Sequence, residues 1–131
     1  MSIVIDTPDA FQPIAPISQA VRCGDWLHVS GLGPLAPGRE RRIVGDGVVE
    51  QTRATLRNLE AILAAAGGTL DHVVKIGLYL EDLADVPAVN ELWRDAFRAP
   101  YPARICTGAA LQGFRIELDA IAFLGDHGRG A

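Results

Sequence analysis

Strand-type alternation runs through most of this chain, and only two stretches carry helical periodicity. That imbalance constrains the fold more than any single motif, because a sheet has two faces and each needs a cover. Alternation and β-branched content place strands at about 3–5, 20–22, 26–31, 72–80, 104–109 and 115–124. Successive side chains of a strand point to opposite sides, so the last four strands each split into two sets. One set is nearly all apolar: Leu27 and Val29; Val74, Ile76, Leu78 and Leu80; Ile105, Thr107 and Ala109; Ile116, Leu118, Ala120, Ala122 and Leu124. The other is mixed: Trp26, His28 and Ser30; Val73, Lys75, Gly77 and Tyr79; Arg104, Cys106 and Gly108; Arg115, Glu117, Asp119, Ile121 and Phe123.

The helical stretches are 48–66 and about 86–97. In the first, Val48, Thr52, Leu56, Leu59, Ile62, Leu63 and Ala66 recur at three and four, with Glu50, Arg53, Arg57 and Glu60 opposite. Asp46 is placed to cap its start and Gly67 and Gly68 to end it. The second stacks Val89, Trp93 and Phe97, tolerates Pro87 in its first turn and has Asp85 as its expected cap. Gly24 and Asp25 signal a hairpin, and Gln112 and Gly113 a turn between the last two strands. Residues 34–42 read as a polar loop with solvated arginines. The order ββ(β)αβαββ predicts a two-layer α/β (α+β) sandwich with both helices on the apolar face. The mixed face then has no cover from its own chain. Trp26, Val73, Tyr79, Ile121 and Phe123 on it predict a homo-oligomeric interface, with pockets near the subunit boundary.

At 131 residues, 49% hydrophobic and 21% charged, the chain is expected to form one domain over 1–131 and to need neither disulfide nor structural metal. Sixteen Asp+Glu against twelve Lys+Arg disfavour a phosphate-neutralising, nucleic-acid-binding role. No stretch reads as a membrane span, and the start of the chain lacks the pattern of a signal peptide, so a cytoplasmic location is expected. Cys23 and Cys106 read as free thiols, and 125–131 as a flexible tail.

Few residues could carry chemistry. Arg104 offers a rigid donor fork matched to a carboxylate, either a substrate's or that of Glu117 or Asp119 on a neighbouring strand. Glu117 and Asp119 share a strand face, where a partly desolvated carboxylate can act as general acid or base or simply be structural. Cys106 has no histidine near it in sequence and reads first as a small buried residue. His28, His72 and His127 have no metal-ligand spacing, and no metal is expected. Gly31 and Gly33 around Leu32 are a weak signal for anion binding.

Four stretches, in order, resemble the reactive intermediate deaminase family (RidA-like, formerly YjgF-like, also called L-PSP endoribonucleases). They are Ala15-Pro16-Ile17-Ser18-Gln19-Ala20-Val21; Val29-Ser30-Gly31; Glu50-Gln51-Thr52 with Leu56-Arg57-Asn58-Leu59 and Ala64-Ala65-Ala66-Gly67; and Tyr101-Pro102-Ala103-Arg104 with Cys106, closed by Ile116-Glu117-Leu118-Asp119-Ala120-Ile121-Ala122. The likeness spans about 13–124. It implies a chorismate-mutase-like fold with a mixed six-stranded sheet, a homotrimer with sites at subunit boundaries, and cofactor-free hydrolysis of 2-imino acids to 2-oxo acids and ammonia. It further implies that Arg104 binds the substrate carboxylate, that Cys106 neighbours it and that Glu117 orients water. By the same resemblance Ser30, Gly31, Ile17 and Asn90 are expected to join Arg104 in binding the substrate. Ile17 stands where the family usually has a tyrosine, and Leu32 where a glutamine follows Ser-Gly. The segment between Cys106 and Glu117 is slightly short. These departures point to a divergent substrate, with non-catalytic binding of a small carboxylate as the alternative and RNA cleavage a more distant third.

Overall fold

In the computed structural model, which describes residues 2–125, the strands are β1 (Ser2–Ile5), β2 (Ala20–Cys23), β3 (Trp26–Leu32), β4 (Val73–Leu80), β5 (Ala103–Gly108) and β6 (Ile116–Phe123). The helices are α1 (Val48–Ala65) and α2 (Val86–Ala96), and one-turn 3₁₀ helices occupy Leu70–His72 and Leu83–Asp85. The strands form one sheet in the order β1-β2-β3-β6-β4-β5. Only β4 and β5 run parallel, because α2 carries the chain back to the starting end of the sheet. This is an α+β fold, a mixed six-stranded sheet with two helices on one face.

The helices earn that face through their apolar stripes. Every position of the first stripe, from Val48 to Ala66, is buried, and Leu59, Ile62 and Leu63 are fully so. They meet Leu27, Ile76, Leu78, Leu80, Ile116 and Leu118, and Val89, Trp93 and Phe97 of α2 join the same core. α1 starts one residue later than an Asp46 cap requires: Gly47 is the N-cap, and no side chain caps it. Its end is as expected. Gly67 turns at φ 85°, and the Gly67 and Gly68 N–H groups donate back to Ala64 and Leu63. Asp85 stands at the N-cap of α2 but makes no capping bond, because its carboxylate is taken by the Arg115 guanidinium at 2.9 Å.

Two strand faces differ from the sequence expectation. In β4 one extra residue sits between the pairs Val73–Ala122 and Lys75–Ile121. This bulge turns Val73, not Val74, into the core, while Ile76, Leu78 and Leu80 keep their place. In β5 the whole assignment inverts. Arg104 pairs with Ile76 and Cys106 with Leu78, so both lie on the helix side, and Ile105 faces outward at 59% exposure. β5 is an edge strand with one apolar residue among polar and small ones, so its register comes from pairing with β4 and not from burial. The Gln112–Gly113 turn exists, both residues having positive φ, but it feeds β6 in between β3 and β4 and does not pair it with β5.

The loop after β3 is held by two polar side chains of α1. Buried Asn58 donates to the Gly33 and Leu35 carbonyls at 3.2 and 2.8 Å and accepts from the Phe11 N–H at 3.1 Å. Gln51, equally buried, donates to Gly45 and accepts from the Arg115 N–H just before β6. Asn58→Ala leaves three backbone groups without their partner and is expected to cost about 2–3 kcal/mol of stability. An unchanged midpoint in urea denaturation would contradict this.

Candidate active site

The polar residues singled out in the sequence fall into two groups on opposite faces of the sheet. The first surrounds Arg104. Its guanidinium lies over the Trp93 ring, 5.2 Å from the centroid, where a planar cation is attracted by the π face. Trp93, Asn90 and Arg94 of α2 together with Tyr101 and Pro102 line an open cavity of about 220 Å³ beside it. Among the described residues no carboxylate pairs with Arg104. The alternative of a salt bridge to Glu117 or Asp119 is therefore overturned: β4 lies between β5 and β6, and Arg104 points to the other side. Half-buried Cys106 follows along β5 and packs at the edge of the core.

The second group gathers on the uncovered face. β3 carries one more residue than β6 between the pairs Val29–Ala120 and Leu32–Leu118, so Ser30 and Gly31 form a bulge that turns away from regular pairing. Gly31 lies under Glu117: a Cβ built on it would come within 3.0 Å of the Glu117 Oε2. The Ser30 hydroxyl donates to the Ser18 carbonyl at 2.6 Å, and its N–H donates to Gln19. Gln19 is itself buried and bonded to Thr7 and Phe11. These bonds fix the segment that presents Ile17, 55% exposed.

Glu117 titrates above the ordinary glutamate range, first because burial disfavours its charge and second because Asp119 lies near it on the same face. Asp119 accepts a hydrogen bond from the Gly77 N–H at 3.1 Å. Glu117 has no such partner among the described residues, so its carboxyl is free to hold or release a proton. A wider depression of about 390 Å³ on this face is lined by Lys75, Tyr79, Ile105 and Asp119 among others.

Of the expected site residues, Arg104 and Asn90 come together on one side, with Cys106 nearby, and Ser30, Gly31 and Glu117 on the other. Trp93, Arg94 and Tyr101 enter the first group although the residue reading gave them no role there. Trp93 reads as core from its spacing and serves both purposes. Arg94 follows Asn90 by one helical turn, and that spacing was the available signal. Among the histidines, His72 accepts from the Thr69 N–H in a capping box and His28 is exposed, while His127 lies outside the described residues, as does 126–131 of the expected tail. Among the described residues no three His, Cys, Asp or Glu side chains group as metal ligands, and no helix is long and apolar enough to cross a membrane.

Comparison with known proteins gives this arrangement a context. The sequence model described as Endoribonuclease L-PSP matches residues 7–124. A RutC family protein of Pyrococcus horikoshii is 38% identical, the alignment covering 94% of this chain and 98% of that protein. The 2-iminobutanoate/2-iminopropanoate deaminase of Mus musculus is 39% identical, covering 93% and 91%. Among solved structures, E. coli TdcF with bound serine superposes with a TM-score of 0.85 at 31% identity, covering 94% of this chain and 99% of that one.

Proposed function

Since this chain belongs to the Endoribonuclease L-PSP family of RidA-like proteins, we propose that it hydrolyses 2-imino acids to 2-oxo acids and ammonia. One observation carries the reading: Arg104 presents a guanidinium with no carboxylate partner among the described residues, backed by Trp93, to an open cavity. A fixed cation with no counter-charge among the described residues is suited to a substrate carboxylate. The proposed working unit is a homotrimer, in which Arg104 of one copy faces Glu117 of the next. The separation of the two groups on opposite sheet faces supports this, as does the exposure of Trp26 and Ile105 on the uncovered side.

In the proposed reaction Arg104 clamps the carboxylate and fixes the imine carbon near a water. Glu117 takes a proton from that water as its oxygen bonds to the carbon of the protonated imine, giving a tetrahedral carbon that bears hydroxyl and amino groups. The Glu117 carboxylic acid then returns the proton to nitrogen. The C–N bond breaks, ammonia departs, and loss of the hydroxyl proton leaves the 2-oxo acid. Water and imine are consumed, oxo acid and ammonia form, and no oxidation state changes. Cys106 contributes shape beside Arg104, and Gly31 gives Glu117 the room it occupies.

The test generates imines with an amino-acid oxidase and traps survivors with semicarbazide. Added protein is expected to lower semicarbazone yield, and undiminished trapping across several side chains would overturn the reading. Ile17, in place of the tyrosine usual in the resemblance, favours a second reading, binding of a small carboxylate without turnover. A ligand-dependent rise in Tm with no ammonia release would select it. RNA cleavage is least consistent with a net charge of -4.

A further inference from the structure

The cavity beside Arg104 is lopsided in charge. Two of its lining side chains, Arg94 and Arg104, are cationic, Asn90, Trp93, Tyr101 and Pro102 are neutral, and none is a carboxylate. One fork suffices for one carboxylate. The second guanidinium has its one ion-pair partner among the described residues, Glu91, outside this lining and open to water, so a ligand's second carboxylate is a counter-charge that can meet it within the cavity. Resting on the imine-hydrolase reading, we propose that this site prefers 2-imino acids carrying a second carboxylate, and that Arg94 receives it.

Arg94 is free to do so. Its only ion pair among the described residues is with Glu91, at 2.9 Å, and the two side chains are 61% and 80% exposed. A pair so open to water contributes little and is readily exchanged for a ligand. Asn90 precedes Arg94 by one turn of α2, so both project from one side of the helix toward the cavity. The neutral Asn90 amide, engaged in no hydrogen bond among the described residues, can donate to either carboxylate. Tyr101 and Pro102 supply an apolar wall for the methylenes between them. At about 220 Å³ the cavity suits a short diacid.

The experiment compares imines made in place from glutamate and from norvaline, which reach equally far and differ in terminal charge. The wild type is expected to favour the glutamate-derived imine in kcat/KM by about tenfold or more, through KM and with a preference that fades at high salt. In Arg94→Gln that ratio falls toward one, and Arg94→Lys recovers part of it. Equal kcat/KM for both imines in the wild type, or a ratio that survives Arg94→Gln, overturns the proposal and leaves imine hydrolysis standing. If neither imine is hydrolysed, the functional reading itself fails, and calorimetry with 2-oxoglutarate and 2-oxopentanoate decides the role of Arg94. Tighter binding of the diacid, lost in Arg94→Gln, supports that role, and equal binding overturns it.

Discussion

Replacing Arg104 with alanine is expected to lower kcat/KM for imine hydrolysis roughly 100- to 1000-fold, because the substrate loses a bidentate, charge-assisted contact that both holds and orients it. Lysine at this position recovers only part of the loss, since a point charge lacks the planar fork. The fold is expected to tolerate either change. Arg104 is half-buried on an edge strand, and what it gives up is its place over the Trp93 ring, about 0.5–1 kcal/mol. Steady-state kinetics beside thermal melts separate the cases. Unchanged kcat/KM in Arg104→Ala removes the arginine from the site, and a melting point that collapses along with activity makes its role structural.

The residues reveal the fold more fully than the site, and β5 shows why. Where a strand buries one face, as β6 does with Ile116, Leu118, Ala120 and Ala122, alternation identifies the core side directly. The two helices are legible for the same reason, each carrying a full apolar stripe. β5 buries neither face completely, so Ile105 and Arg104 exchange sides once pairing with β4 sets the register. Bulges escape periodicity too, since an extra residue such as Val74 is visible only against its partner strand. The consequence for the site is large. With Arg104 placed on the mixed face, one chain would seem able to bring it to Glu117; with β5 inverted, the site divides between faces. Arg94 and Gln51 were hidden for a different reason, as polar residues on a helix read as solvent-facing until the loops packed against them are known.

Glu117→Gln is expected to reduce kcat by about 10²–10⁴-fold, the range for loss of a positioned general acid–base, and to raise Tm at neutral pH. The two effects have one origin. Burial and the neighbouring Asp119 hold the Glu117 carboxyl above the ordinary value of about 4.5, so the folded state binds its proton more tightly than the unfolded chain does. Stability from this group is therefore full below the unfolded value and is lost as pH rises through the folded one, which leaves a charged, destabilising carboxylate above it. Glutamine removes that penalty together with the base. Wild-type activity should fall on the acid side with an inflection above the ordinary glutamate value, and the residual activity of Glu117→Gln should lack that limb. A pH profile identical in both proteins would assign the base elsewhere. Mixing this variant with Arg104→Ala then tests the division between faces. If each site takes Arg104 from one copy and Glu117 from another, random co-assembly of two inactive variants restores about a quarter of the sites. If both residues serve the same site from one chain, no mixture of the two regains activity, because every chain lacks one half.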